Sequence, residues 1–511
     1  MNVKKDSTSV IKNTRLIIPF VLVSFYLFFR QNLTGRTGLG SVIALSLTGI
    51  SVIYLLWSRK VISKDGVPFI FLAFLFLFSV LFSSSITLQR IAEILFYLLF
   101  ICGIHNCSFG FHPYSDDRLA YIIVSSLIAG IDPYDLSTLI PVKHNKNINS
   151  RAGNMILKAF LGLIIGSPIF ILVFLLLSTD SAFGAMMDDL YSWIYDIDLD
   201  FVITAGSCIL GAVLFTLFLL LQVKAASLKK TDPYYDSFWL DKVSTRIAFI
   251  PSETVLFAVL PLIALYLLFF ASQWHYYTAA FYGSLPEGYS YAEYARSGFF
   301  ELCTVSFINL CVLCFSKWLV KKENSKTAIH ILTIILCICT LILIATAVSK
   351  LLLYINEYCL TPLRIYAMWG MTVLTIVFLL FFVKEFVPGL PLYSACTIAV
   401  LFMLLILIYA DPLSIIANYN AERFITGQYS MIDLDLFHNI GDAGIPALIK
   451  VRDYFNSLSP SIQTELIKSG ALDPEKLELA ELDFKYPLDI PTPFKWMFLT
   501  MPYLSALNAI Q

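Results

Sequence analysis

Residues 331–348 read Ile331-Leu-Thr-Ile-Ile-Leu-Cys-Ile-Cys-Thr-Leu-Ile-Leu-Ile-Ala-Thr-Ala-Val348, eighteen positions without a charge. Apolar residues follow one another here without the polar alternation of a half-buried strand. A helix needs about 20 such residues to cross a hydrocarbon core of about 30 Å. In that core only helices and closed barrels satisfy every backbone N–H and C=O. The stretch, taken with its flanks as 328–349, therefore reads as a transmembrane helix.

The same pattern recurs at 14–30, 39–57, 67–83, 86–104, 155–177, 201–222, 252–272, 298–319, 364–383 and 393–410. The expected fold is thus all-α, a polytopic helical membrane bundle of about eleven transmembrane helices. Composition agrees. Of 511 residues 58% are hydrophobic and only 14% charged, where a soluble domain carries roughly a quarter. The net charge of −1 offers no basic field for nucleic acid. Ten cysteines fall mostly inside apolar runs and read as small core residues, not as a disulfide framework. The first run, Leu16 to Phe29, follows Lys4, Lys5, Lys12 and Arg15 and leads into Arg30, Gln31 and Asn32. No small-residue cleavage site follows it, so it reads as a short, uncleaved first span. Ser83, Ser84 and Ser85 fit a tight turn between the third and fourth spans.

Lysine and arginine in short loops favour the cytoplasmic side. With the N-terminus inside, the inner segments hold about 22 basic residues, among them Lys143, Arg151, Lys229, Lys321 and Lys384. The outer segments before the tail hold six: Arg30, Arg36, Arg90, Arg296, Lys350 and Arg364. The preferred topology is N-in and C-out, in a cell (inner) membrane. One miscounted span would move the tail to the other side.

Four regions follow. Residues 1–104 hold the N-terminal spans, and 105–154 form an inner loop. That loop contains an apolar stretch, Leu119 to Ile128, too short to span and suited to the interface. Residues 155–410 form the main bundle, and 411–511 a small, soluble helical tail. In the tail, Asp411-Pro412 is a helix start, with Asp as N-cap and Pro at the first helical position. Leu448, Val451, Phe455 and Leu458 recur at helical spacing. Gly470 stops a further helix, Asp473-Pro474 starts the next, and the apolar end from Phe494 to Ile510 is suited to the membrane surface.

One outer loop carries an uncommon string: Gly283-Ser-Leu-Pro-Glu-Gly288, then Tyr291-Ala-Glu-Tyr-Ala-Arg296, then Gly298-Phe-Phe-Glu-Leu302. Leu363-Arg-Ile-Tyr366 opens a late span, and Ile415-Ile-Ala-Asn-Tyr-Asn420 follows Asp411-Pro412. Ser178-Thr-Asp180 with Phe183 is a weaker match, with Ser181 where Pro is usual. Over roughly 150–450 these strings resemble a bacterial multi-pass membrane family known as domain of unknown function 4173. That family more often has Asn-Pro where this chain has Asp411-Pro412. The resemblance implies kinship and membrane location and carries no activity with it.

The candidate site is an outer polar cluster of Asp180, Glu293, Arg296, Glu301 and Arg364. Glu293 and Arg296 are one helical turn apart. Glu301 falls inside an apolar run, where an ionisable residue is costly and usually faces the bundle interior. With Arg364 it is a candidate for a pair across helices. The cluster reads either as a solute, headgroup or proton site opening outward, or as an ion-pair network that fixes helix packing. Asp196, Asp198 and Asp200 alternate as hard-cation ligands can, but outer loops shed basic residues and keep acids without a task. Cys311 and Cys314 lack the two further ligands of a zinc site. His275 sits in an ordinary aromatic belt. Arg90 and Glu93 read as a local pair.

There is no phosphate loop, no nucleophile elbow, no zinc-protease motif and no dinucleotide fingerprint. No cofactor and no metal centre is expected, and the balance leans away from an enzyme. Three readings remain. One is a binding, regulatory or envelope-assembly subunit whose tail meets a protein partner. The second is a transporter or permease for a small solute or lipid. The third is an outward-facing enzyme on a lipid-linked substrate.

Overall fold

The computed structural model describes residues 21–26, 38–58, 64, 66–109, 205–216, 219, 259–264, 266–268, 270, 299–319, 326–477 and 500–510. Among the described residues there is no strand. The helices are α1 (Leu39–Ser58), α2 (Val67–Ser79), α3 (Ile86–Phe109), α4 (Ala205–Thr216), α5 (Val259–Leu268), α6 (Phe299–Leu319) and α7 (Lys326–Tyr358). They continue as α8 (Pro362–Phe386), α9 (Leu392–Tyr409), α10 (Pro412–Ile425), α11 (Leu434–Asn439), α12 (Ile445–Ser457), α13 (Pro460–Lys468) and α14 (Met501–Ile510).

Five described stretches are long and apolar enough to cross a membrane: Leu39–Ser58, Ile86–Ile104, His330–Tyr358, Pro362–Phe386 and Leu392–Tyr409. All five lie where the sequence predicts spans. Shorter apolar helices, Val67–Ser79, Ala205–Thr216, Val259–Leu268 and Leu302–Cys314, lie at four more of the predicted positions. Of the first predicted span only 21–26 is described, as helix. The predicted span at 155–177 and the stretch from Leu119 to Ile128 lie outside the described residues. The expected total of eleven therefore extends over positions that are not described.

The described residues form two compact units. The first holds 21–26, most of α1, and α4. Phe25 and Phe215 meet there with ring centroids 5.8 Å apart, and Leu45, Leu56 and Cys208 are buried in the same unit. In α1, Thr48 donates to the carbonyl of Ala44 and Ser51 to that of Leu47. Such bonds to the preceding turn leave no hydroxyl unsatisfied in an apolar environment.

The second unit holds α2, α3 and everything from α5 onward. α2 and α3 form a tight hairpin because glycine stands on both sides of the contact, Gly66 just before α2 and Gly103 within α3. A Cβ on Gly66 would lie 2.5 Å from the Gly103 carbonyl, and one on Gly103 would lie 2.6 Å from Ile70. Small residues of this kind let apolar helices approach closely. α2 ends at Ser79, four residues before the predicted limit of 83, because the chain is already turning through Val80 to Ser85. Gln89 holds that turn, its Nε2 donating to the Ser83 carbonyl at 2.6 Å.

α9 packs against α2 and α3. α5, α6 and α7 share a buried polar chain. The Tyr266 hydroxyl donates to Asn309 Oδ1 at 2.6 Å, Asn309 Nδ2 to Thr340 Oγ1 at 2.8 Å, and Thr340 to the Leu336 carbonyl at 2.7 Å. Between apolar helices such bonds hold helices together where hydrophobic burial cannot discriminate them. Only 22% of the apolar stretch of α8, and of α9, is buried, against 56% for α7. Ile398, Phe402 and Leu379 point outward accordingly, as lipid-facing residues do.

α7 corrects the sequence-based limit of 349. It runs 33 residues to Tyr358, about 50 Å at 1.5 Å per residue, because Leu351, Leu352 and Leu353 continue the apolar run past Lys350. Its last turns therefore extend beyond the thickness of a hydrocarbon core.

The tail begins where predicted. α10 has Pro412 at its first position, with Asp411 preceding it. Asp411 does not cap its own helix with its side chain; it has φ +46°, and its carboxylate is engaged elsewhere. α12 buries Ile445, Ala447, Leu448, Val451 and Phe455, the predicted face. Gly470, at φ +70°, ends α13, with the Ala471 N–H closing on the Leu466 carbonyl at 3.0 Å. Asp473-Pro474 leads into one 3-10 turn, Glu475–Leu477. α14 packs on α12, with Tyr503 and Ala506 buried. One hydrophobic core runs without a break from Leu336, Phe378 and Leu392 through Ile416 and Phe437 to Leu448 and Ala506. The tail is thus built onto the bundle.

Candidate functional site

The last four carbonyls of any helix lack partners within it. At the end of α7 the chain stops in an unusual way. Cys359 adopts φ +71°, a region that residues with a side chain seldom enter. Pro362 then opens α8 at its first turn. Side chains from three places meet the carbonyls so exposed. The Tyr429 hydroxyl donates to the Ile355 carbonyl at 2.7 Å. Arg364 Nη1 donates to the Tyr358 carbonyl at 2.6 Å and also to that of Cys359. Asn420 Nδ2 donates to the Leu360 carbonyl at 2.8 Å, while its Oδ1 accepts the Leu360 N–H at 2.8 Å.

Aromatic rings line the same turn. The Arg364 guanidinium lies 4.0 Å from the centre of the Tyr354 ring. Arg423 faces Tyr419 at 4.9 Å and Tyr429 at 5.5 Å, and its Nη2 reaches Asn356 Oδ1 at 3.4 Å. Burial pushes the Cys359 thiol up, against Arg364; Asp433 raises it further and Arg423 lowers it. Burial likewise raises the Tyr429 phenol, with Tyr419 beside it adding to the effect. Arg364 and Asn420 come from the two short motifs of the sequence, Leu363-Arg-Ile-Tyr366 and Ile415-Ile-Ala-Asn-Tyr-Asn420. The fold joins those motifs at one helix end.

A second buried junction ties the tail to the α2–α3 turn. Asp411 Oδ1 accepts the Ser84 N–H at 2.9 Å and the Ser84 hydroxyl at 2.6 Å, and Ser414 donates to Oδ2. Tyr409 donates to the Leu75 carbonyl at 3.0 Å, and the Met501 N–H to the Leu81 carbonyl at 2.7 Å. These bonds bring the α2–α3 turn and the start of α10 together at one end of α2 and α9. The opposite end of α7 carries His330 Nδ1 2.6 Å from Glu385 Oε2, and Lys384 Nζ donates to the Pro388 carbonyl at 2.9 Å.

Of the five sequence-predicted site residues, Asp180, Glu293 and Arg296 lie outside the described residues, as do Asp196, Asp198, Asp200 and His275. Glu301 is in the first turn of α6, with its side chain outside the description. Arg364 is the helix-capping residue just described, with no ion pair to a described carboxylate. Arg90 and Glu93 form the predicted local pair, at 3.6 Å. Cys311 and Cys314 lie on α6. Among the described residues no group of three metal-ligating side chains converges.

Three features escaped the sequence reading. Asn420 stood inside a quoted motif but gave no sign of pairing with backbone. Arg423 and Tyr429 carried no pattern. Lys350, counted as an outer-loop base, is 1% exposed within α7. Its signal was present, since apolar residues flank it on both sides. The Asn309–Thr340 bond sets the register of α6 against α7. Glu301 is placed about 12 Å and Lys350 about 15 Å beyond that bond, towards the same end.

No curated protein matches the chain. No solved structure matches it either. The strings that resemble domain of unknown function 4173 fall within a match to a differently numbered family. Residues 17–451 match the family model described as Domain of unknown function (DUF4153), and the chain belongs to that family.

Proposed function

We propose that this chain is a binding or regulatory subunit of the bacterial inner membrane, a multi-pass protein whose tail meets a protein partner in envelope assembly or sensing. The N-terminus is cytoplasmic and the tail extracytoplasmic. The excess of lysine and arginine in the segments assigned to the inside supports that orientation. The Ser84–Asp411 contact requires an even number of crossings between them, and the eight spans predicted from 86–104 to 393–410 agree with that.

The observation that carries this reading is the unbroken core from the bundle into the tail. A tethered domain would move independently of the helices. Here a load on α10 reaches the α7–α8 turn through Asn420 and the α2–α3 turn through Asp411. Meanwhile α13 buries none of its residues and leaves Ile462 and Ile467 exposed. This arrangement suits a receiver whose outer helix makes the contact and whose inner helices feel it.

Two measurements on the full chain test the reading. Paired reporter fusions after Gln511, one active only inside and one only outside the cytoplasm, fix the side of the tail. A photo-crosslinking residue at Ile462 or Ile467 in living cells then reports the partner. An outside tail with one discrete protein adduct is the expected result. A cytoplasmic tail, or no protein adduct from either position, would sink the reading.

A further inference from the structure

We propose that the end of α7 is a binding site for a phosphate-bearing anion, the headgroup of an anionic phospholipid in the leaflet on the tail side. It stands independently of the partner-binding reading above.

Two guanidiniums, Arg364 and Arg423, flank the last turn of α7. Both act on Cys359, so their charges fall on one patch. Neither has a carboxylate within ion-pair distance among the described residues. Arg364 uses Nη1 on two carbonyls, and Arg423 uses Nη2 on Asn356 at 3.4 Å, a long bond. Their remaining N–H donors make no hydrogen bond with described groups. Guanidinium forks of this kind match phosphate oxygens two at a time.

The rings fix where those forks face. Arg364 is held against Tyr354, and Arg423 against Tyr419 and Tyr429. Tyr354 and Tyr358 stand 5.2 Å apart on the same turn. A helix of 33 residues carries this turn to headgroup depth, where tyrosine belts form. Stacking leaves the guanidinium charge in place and lowers the entropy lost when a ligand binds. Glu357, Glu422 and Asp433 are the carboxylates near the patch, and all three are exposed. Asp433 Oδ1 accepts the N–H of Leu436, the start of α11. Water and salt screen exposed carboxylates; at Cys359, Asp433 acts less than Arg364 and more than Arg423.

The test uses the full chain in phosphatidylcholine nanodiscs with a rising fraction of phosphatidylglycerol. Native mass spectrometry reads the lipids retained after transfer to detergent. A parallel arm adds inorganic phosphate to pure phosphatidylcholine nanodiscs and reads the shift in Tm. Wild type should retain phosphatidylglycerol over phosphatidylcholine by about tenfold, the scale of one charge-assisted contact. Arg423→Gln should remove most of that preference, and Arg423→Lys should keep part of it. A Tm rise with inorganic phosphate that equals the rise with the lipid would make a free anion the ligand. Equal retention of the two lipids by wild type, with no phosphate shift, overturns the proposal. So does a preference that Arg423→Gln leaves unchanged. If Arg423→Gln fails to fold, the wild-type lipid comparison and Arg423→Lys still decide the matter.

Discussion

Asn420 and Leu360 exchange two hydrogen bonds, each 2.8 Å long, across 60 residues of chain. A side-chain amide here pairs with a backbone amide as one strand residue pairs with another. Both groups are buried, so neither has water as an alternative. Asn420→Ala would leave a buried N–H and a buried carbonyl without partners, each costing about 1–3 kcal/mol. Asn420→Asp would keep the acceptor but set a carboxylate oxygen against the Leu360 carbonyl. Both variants should lower the Tm of the purified chain, with Asp no better than Ala. An unchanged Tm for Asn420→Ala would show that the bond contributes nothing.

Asp411 sits at φ +46° with its carboxylate on Ser84 and Ser414. Asparagine tolerates that backbone region, and its amide oxygen can accept the same Ser84 donors. Asp411→Asn should therefore stay close to wild type. Asp411→Ala should lose the junction and should be strongly non-additive with Ser84→Ala, by about 0.5–3 kcal/mol. A double-mutant cycle on Tm checks this; additive losses would mean the two residues do not act together.

The α2–α3 contact predicts a contrast among glycines. A Cβ on Gly66 meets the Gly103 carbonyl at 2.5 Å and the Cys107 N at 2.8 Å, both backbone atoms that cannot step aside. Gly66→Ala should cost about 1–3 kcal/mol through overpacking. Gly370, in the middle of α8, has no atom within 4 Å of such a Cβ. Gly370→Ala should be neutral or slightly stabilising, since alanine favours helix by about 1 kcal/mol. Equal unfolding temperatures for the two variants would refute the close approach.

Lys350 is 1% exposed on a membrane-spanning helix, and the helix register sets Glu301 near its level. Removing one member of a buried pair leaves the other charge uncompensated, at about 3–5 kcal/mol. Lys350→Met and Glu301→Gln should each reduce accumulation in the membrane, and the double variant should recover much of the loss. If the double variant is as poor as the sum of the singles, the two residues do not pair.

Some of this was legible before any coordinates. Apolar runs located the helices of α1, α3, α8 and α9 because length and hydropathy alone decide whether a helix suits hydrocarbon. The three serines at 83–85 announced a turn, and Pro412 and Gly470 announced a helix start and stop, because these residues constrain backbone directly. The end of α7 was misplaced because Lys350 looks like a loop residue in sequence, yet a lysine inside a bundle can be buried. Asp411-Pro412 reads in sequence as a cap and a first helical turn. Asp411 Oδ1 instead accepts from Ser84, 327 residues away, and no local pattern reports that donor.

The sequence by itself determined that the chain is helical and membrane-embedded: lipid admits only helices and closed barrels, and these runs lack the polar alternation of barrel strands. It also determined that the tail has one buried face. Only the tertiary structure decided that this face packs onto the bundle, that Arg364 and Asn420 meet one helix end, and that Ser84 and Asp411 pair. Those are relations between groups far apart along the chain. Hydropathy and local backbone preference act over a few residues, whereas a buried hydrogen bond depends on which distant donor the packed helices bring within 3 Å.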